Sequence, residues 1–297
     1  FRVLEDFMRD PECAIKLARR HGDGDRHTVV SALGSFHGRT LATLAATGQP
    51  AKHAPFAPMP EGFVHVPWGD VDALAAAVDT STAAVMLESI QGEGGVVPAP
   101  EGYLAAARKI CDDSGALLMI DEVQTGFART GTWFGFEHAG ISPDVVTLAK
   151  AMGNGMPVGA CWAPTEVAAA FRPGDHGSTY SGTALATAAV IAVISEMERI
   201  DAPATARRQG HRLSTALAEI DGIATVRGAG LLLGAVLDGV AAADVARVAL
   251  QHGLIVNAVA ADTIRLAPPL TVSDAEIDEA VAILASCIHD VSAGGTA

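Results

Sequence analysis

An aspartate and a lysine, each placed just behind a run of apolar residues, are the first candidates for chemistry in this chain. Asp121 follows the apolar run of Ala116-Leu-Leu-Met-Ile-Asp-Glu-Val-Gln124, and Lys150 closes Asp144-Val-Val-Thr-Leu-Ala-Lys150, which runs on into Gly153-Asn-Gly155. A lysine held in a partly desolvated pocket has a lowered pKa and attacks an aldehyde to form a Schiff base. A carboxylate beside a pyridine nitrogen keeps that nitrogen protonated, so that the ring accepts electrons from a carbanion. One cofactor, pyridoxal phosphate, carries both an aldehyde and a pyridine, and the pair points to it. Taken singly, each residue has a plainer reading: Asp121 as a turn cap and Lys150 as a solvated residue behind a strand.

The elements that must position these two groups follow from the same runs. Five consecutive apolar residues behind Gly115 read as a parallel strand buried on both faces, and 145–149 read as a second. In an open α/β sheet, ligands bind in the crevice outside the carboxyl ends of the strands. One sheet would therefore place Asp121 and Lys150 on the same rim. Further strands are expected at 27–33, 63–68, 83–87 and 157–163, and helices at 11–20, 71–78, 101–115 and 184–200. Beyond that, helices at 203–220 and 242–252, strands within 224–237 and at 254–259, and a helix from Ser273 capped by Glu276 form an α+β tail. The expected architecture is a large domain over 1–199, built on a mostly parallel sheet flanked by helices, and a small α+β domain over 200–297.

Composition narrows the partners. The chain has 297 residues, 49% of them hydrophobic, enough for a sizeable core. Lys and Arg number 20 against 34 Asp and Glu, a net charge of −14 that argues against nucleic acid and leaves any anionic ligand to be held by local groups. No apolar run reaches the length of a membrane span, and Phe1-Arg-Val-Leu-Glu-Asp6 lacks the regions of a signal peptide. The 4 cysteines, Cys13, Cys111, Cys161 and Cys287, are scattered and form no CxxC pair. No metal site or disulfide framework is expected, and a reducing cytoplasm is. Cys161, inside an apolar stretch, reads as a small core residue.

The longer string Ile120-Asp-Glu-Val-Gln-Thr-Gly-Phe-Ala-Arg-Thr-Gly131, taken with Ala149-Lys-Ala-Met-Gly-Asn-Gly155, closely resembles the class III (ω-amino) aminotransferases of fold type I. The resemblance runs from about Glu12 to Ile288. The segments Gly253-Leu-Ile-Val-Asn257 and Arg265-Leu-Ala-Pro-Pro-Leu270 look most like the acetylornithine branch, with the ornithine enzymes near it. It implies that Lys150 carries pyridoxal phosphate, that Asp121 faces the pyridine nitrogen and that Gln124 reaches the ring oxygen. From Ser35-Phe-His-Gly-Arg-Thr40 it implies Phe36 stacked on the ring, His37 lining the site and Arg39 gripping a substrate carboxylate. From Glu88-Ser-Ile-Gln-Gly-Glu-Gly-Gly95 it implies that Glu93 pairs with Arg265 and masks it until an α-carboxylate arrives. From Gly177-Ser-Thr-Tyr-Ser-Gly-Thr-Ala-Leu-Ala186 it implies that Thr179 binds phosphate in a partner subunit's site, hence a homodimer. Glu122 is expected to support the rim through hydrogen bonds.

The sequence also departs from the family pattern. Asp6-Phe-Met-Arg-Asp-Pro-Glu12 stands where the family has a small, glycine-containing loop whose amides hold the phosphate, and Ser89, Ser181, Thr183 and Ala184 replace family residues. The family also carries roughly a hundred further residues upstream. The activity implied is transfer of an ω-amino group to 2-oxoglutarate, with N-acetylornithine as donor and ornithine, succinylornithine or 4-aminobutyrate as alternatives. The rival expectation is a short, catalytically impaired form that serves as a dimerising scaffold.

Overall fold

The computed structural model describes residues 2–5, 10–179 and 182–294. The contrast between the phosphate-loop pattern and Asp6, Phe7, Met8 and Arg9 therefore lies outside the described residues, as does Ser181. Asp10 to Glu12 open the helix Asp10–His21.

Contacts divide the chain into two compact units, the first formed by Phe1–Ser89, Ala99–Phe127 and Phe134–Glu198. Its centre is a sheet ordered Arg2–Glu5, Ala160–Ala163, Val145–Leu148, Leu117–Asp121, Thr82–Glu88, Thr28–Ala32 and Phe63–Val66. The five strands from Val145–Leu148 to Phe63–Val66 pair in parallel, while Ala160–Ala163 and Arg2–Glu5 add antiparallel neighbours at one edge. Continuous apolar sequence gives continuous burial: every residue of Thr82–Glu88, Leu117–Asp121 and Val145–Leu148 is buried. Helix Asp10–His21 contributes Cys13, Ala14, Leu17 and Ala18 to one core cluster with Ala84, Met86 and Met119. Helix Tyr103–Ser114 buries Tyr103, Leu104, Ala107 and Cys111. Gly115 takes a φ of 74°, which stops this helix in the left-handed conformation glycine adopts without penalty.

The second unit is formed by Ile90–Pro98, Ala128–Trp133 and Arg199–Ala297. A division at 199/200 thus omits two excursions from the first half of the chain. The reason for one lies in its core, where Ile90 and Val96 pack with Leu232. This unit holds a four-stranded antiparallel sheet in the order Ile223–Ala229, Leu232–Leu237, Thr263–Leu266, Asn257–Ala258. The helices Ala202–Ala218, Ala242–Gln251 and Asp274–Ser292 belong to it as well. The capping box is formed at the start of the last helix, where Ser273 and Glu276 exchange hydrogen bonds. The strand expected at 254–259 shrinks to Asn257–Ala258, because Leu254 donates its N–H to Ala249 O and so closes the preceding helix instead.

Candidate active site

All of the candidate cofactor residues lie in the first unit, and the sheet register sets their places. Asp121 is the last residue of its strand and pairs in register with Thr147 of the parallel neighbour. Lys150 follows two residues after that neighbour ends at Leu148. Adjacent strands run about 4.8 Å apart, so the carboxylate and the amine share the carboxyl rim of one sheet. Lys150 has a φ of 46°, in the left-handed region, and its side chain is exposed rather than set in a desolvated pocket. The turn behind it is tight: a Cβ on Gly153 would come within 2.1 Å of Met156 O.

Asp121 is buried, and both of its oxygens are engaged. Oδ1 accepts the Val123 N–H at 3.1 Å, and Oδ2 lies 2.9 Å from His37 Nδ1. Each carboxylate oxygen accepts two hydrogen bonds, so one lone pair per oxygen is left for a ligand donor. His37 is buried, its N–H donating to Thr47 Oγ1 at 2.9 Å. Burial opposes a charge on its ring, but the hydrogen bond to Asp121 and the charges of Asp121 and Glu88 outweigh it, and its pKa is raised. Glu88 pairs in register with Asp121 on the other side, so two acids close adjacent strands. Two buried atoms beside this carboxylate, His37 Nε2 and Thr147 Oγ1, have no hydrogen-bond partner among the described residues. An orphaned imidazole nitrogen, an orphaned hydroxyl and a carboxylate with spare lone pairs suit a ring that carries both a nitrogen and polar substituents.

Phe36, half-buried, donates its N–H to Glu88 Oε2 at 3.1 Å. Two cations lie over its ring, Lys52 Nζ at 4.9 Å and the Arg39 guanidinium at 5.8 Å from the centroid. Arg39 is exposed and Gln124 is half-buried. Thr179 is exposed, so a contact to phosphate from it calls for a further surface. Glu122, the neighbour of Asp121, is buried and its oxygens accept from Ser89 Oγ, Thr125 Oγ1, Gly135 N and Phe136 N at 2.7–3.0 Å. Burial pushes its carboxyl up to about 7 against the pull of these four donors.

In the second unit Arg265 Nη1 lies 2.7 Å from Glu93 Oε1 and also donates to Gly92 O at 3.3 Å. Glu93 sits on a turn that runs into strained backbone. Val96, fully buried, takes a φ of 53°, a conformation in which a β-branched residue is an outlier.

Sequence reasoning gave no role to Glu88, Lys52 or Thr47. For Glu88 a signal existed, since it too ends a buried run. Lys52 and Thr47 meet the site only because the segment after Ser35 folds back, Gly48 N donating to Ser35 Oγ and Gln49 Nε2 to Ser35 O.

A mostly parallel sheet with a lysine and an aspartate on its carboxyl rim, joined to a small antiparallel α+β unit, is the arrangement of fold type I pyridoxal-phosphate enzymes. The aminotransferase class-III family model matches residues 10–288, and this chain belongs to that family of pyridoxal-phosphate-dependent aminotransferases. It is 47% identical over 285 residues to the acetylornithine aminotransferase of Corynebacterium efficiens, covering 95% of this chain and 70% of that protein. It is 50% identical over 275 residues to the Mycobacterium bovis acetylornithine aminotransferase, covering 92% of this chain and 68% of that one. Among solved structures, N-acetylornithine aminotransferase from Stenotrophomonas maltophilia aligns with a TM-score of 0.85 at 32% identity, over 99% of this chain and 76% of its own. The ornithine aminotransferase of Toxoplasma gondii, described with partial occupancy of PLP at its active site, aligns at 0.92 with 28% identity over 99% of this chain and 73% of its own. Among the described residues no helix is long and apolar enough to cross a membrane.

Proposed function

We propose that the chain transfers the ω-amino group of N-acetylornithine to 2-oxoglutarate, releasing glutamate and the semialdehyde, in the cytoplasm and as part of arginine biosynthesis. The observation that carries the reading is the shared rim of Asp121 and Lys150, joined to identities of 47% and 50% with acetylornithine aminotransferases. Pyridoxal phosphate, when bound, supplies the aldehyde that takes up the amino group and the electron-poor ring that stabilises the carbanion beside it.

The residues then divide the work. Lys150 Nζ would hold the cofactor, and the same amine would move the proton at the substrate carbon. Asp121 would accept the ring N–H on its spare lone pair, and His37, its pKa raised by Asp121 and Glu88 against its burial, fixes that carboxylate in place. Phe36 would cover the ring, and Gln124 would reach its oxygen. Arg39 meets the distal carboxylate of the substrate at the exposed mouth. Glu93 masks Arg265 during the ω-amino half-reaction and yields it to the α-carboxylate of glutamate in the other.

Thr179 completes the phosphate site of a second copy in a homodimer. The helix Ala184–Arg199 supports that assembly, because Leu185 and Ile191 are 70% and 67% exposed on an apolar sequence.

Adding pyridoxal phosphate is expected to produce a visible absorbance band that Lys150→Ala abolishes, and N-acetylornithine with 2-oxoglutarate is expected to yield glutamate. No band at saturating cofactor, or a band unchanged in Lys150→Ala, would overturn the proposal.

A further inference from the structure

Arg227 is half-buried and takes no part in the chemistry above, yet it grips the same turn as the arginine that does. Its Nε and Nη2 both donate to Gly95 O, at 2.9 and 2.7 Å. The sheet explains why two arginines meet one turn. Arg227 pairs in register with Gly234, and Gly234 pairs with Arg265 on its other side. Residues directly opposite each other in an antiparallel sheet project from the same face, so both arginines stand on one face, their backbones two strand spacings or about 10 Å apart.

Between them is a notch. Gly234 contributes no side chain, and a Cβ there would lie 2.9 Å from Val96 Cβ and 3.2 Å from Gly95 O. The turn sinks into this notch, Arg227 holding it at Gly95 and Arg265 at Gly92 and Glu93. Val96 is strained just where the turn enters, as expected when surrounding contacts over-determine a local conformation.

We propose that Arg227, acting with the Gly234 notch, is a positioning residue for substrate selection: it holds the 92–96 turn so that Glu93 covers Arg265 until an α-carboxylate displaces it. The inference rests on the reading of Glu93 and Arg265 as a masked carboxylate site. Without the grip at Gly95 the turn lifts, Glu93 covers Arg265 less completely, and substrates that carry a carboxylate beside the reacting amine gain at the expense of the ω-amino donor, whose carboxylate is distal.

The test uses the cofactor-loaded enzyme and compares kcat/KM for glutamate with that for N-acetylornithine. In Arg227→Met the ratio is expected to move toward glutamate by about threefold or more, through KM rather than kcat, with Arg227→Lys nearer the parent because one donor remains. Gly234→Ala, which presses on the same turn without touching either arginine's charge, is expected to move the ratio in the same direction. Glu93→Gln should move it further, and Arg227→Met added to Glu93→Gln should move it no more. If Glu93→Gln moves the ratio while Arg227→Met and Gly234→Ala leave it alone, or lower both substrates equally, the role of Arg227 is refuted and the mask stands. If Glu93→Gln also leaves it alone, the mask itself is wrong, and the proposal for Arg227 falls with it.

Discussion

Replacing Glu122 by methionine should destabilise the protein more at low pH than at high pH, the reverse of what removing an ion-paired carboxylate does. The geometry fixes the sign. Among the described residues, the groups hydrogen-bonded to Glu122 are all donors, two hydroxyls and the N–H groups of Gly135 and Phe136. Methionine fills the same space and accepts nothing. The hydroxyls of Ser89 and Thr125 can rotate toward other acceptors, but the two amides are left buried, at about 2 kcal/mol each. Against this about 4 kcal/mol stands the cost of burying the charge. The folded-state pKa is raised from 4.5 to about 7, so the native protein holds the Glu122 proton that the unfolded chain has already released. Stability from this group is therefore complete below 4.5 and is lost as pH rises through 7, by about 3 kcal/mol in all. Glu122→Met is blind to that loss. It should cost about 4 kcal/mol near pH 4.5 and only about 1 kcal/mol at pH 8. Urea unfolding of both proteins between pH 4.5 and 8 measures the difference directly. A penalty that grows with pH, or that stays level, would show that the four donors rather than burial control this carboxylate.

Three further outcomes follow from the site. His37 has a raised pKa, so its contribution to stability is full below 6.5 and is lost as pH rises through the folded value; Asp121→Asn should lower that value, shifting the His37 ring titration to lower pH by NMR. An unshifted titration would detach the two groups. Arg39→Ala should raise KM for 2-oxoglutarate about fivefold, since an exposed pair contributes about 1 kcal/mol where a buried one would contribute ~2–5 kcal/mol; a hundredfold change in steady-state assays would mean that Arg39 is desolvated in the working enzyme. Gly153→Ala forces a methyl against Met156 O and should weaken cofactor retention while lowering stability by about 2 kcal/mol, measured by dialysis and thermal unfolding.

What could be read from sequence depended on whether a signal was local. The runs that end at Asp121 and Lys150 carry their burial in composition, because a strand covered on both faces has no polar alternation to preserve, and the same logic located Thr82–Glu88. The parallel register that puts both charges on one rim then followed from the architecture. Cross-strand relations left no such trace. Arg227 and Arg265 are 38 positions apart and become partners in one task only because Gly234, on the strand between them, stands opposite both. The membership of Ile90–Pro98 in the second unit is equally non-local, since Ile90 and Val96 are buried against Leu232. Lys150 makes the same point from the chemical side. Its sequence context suggested a desolvated side chain, whereas the residue as a whole is exposed, because burial is set by what the fold brings over a position and not by its neighbours in sequence.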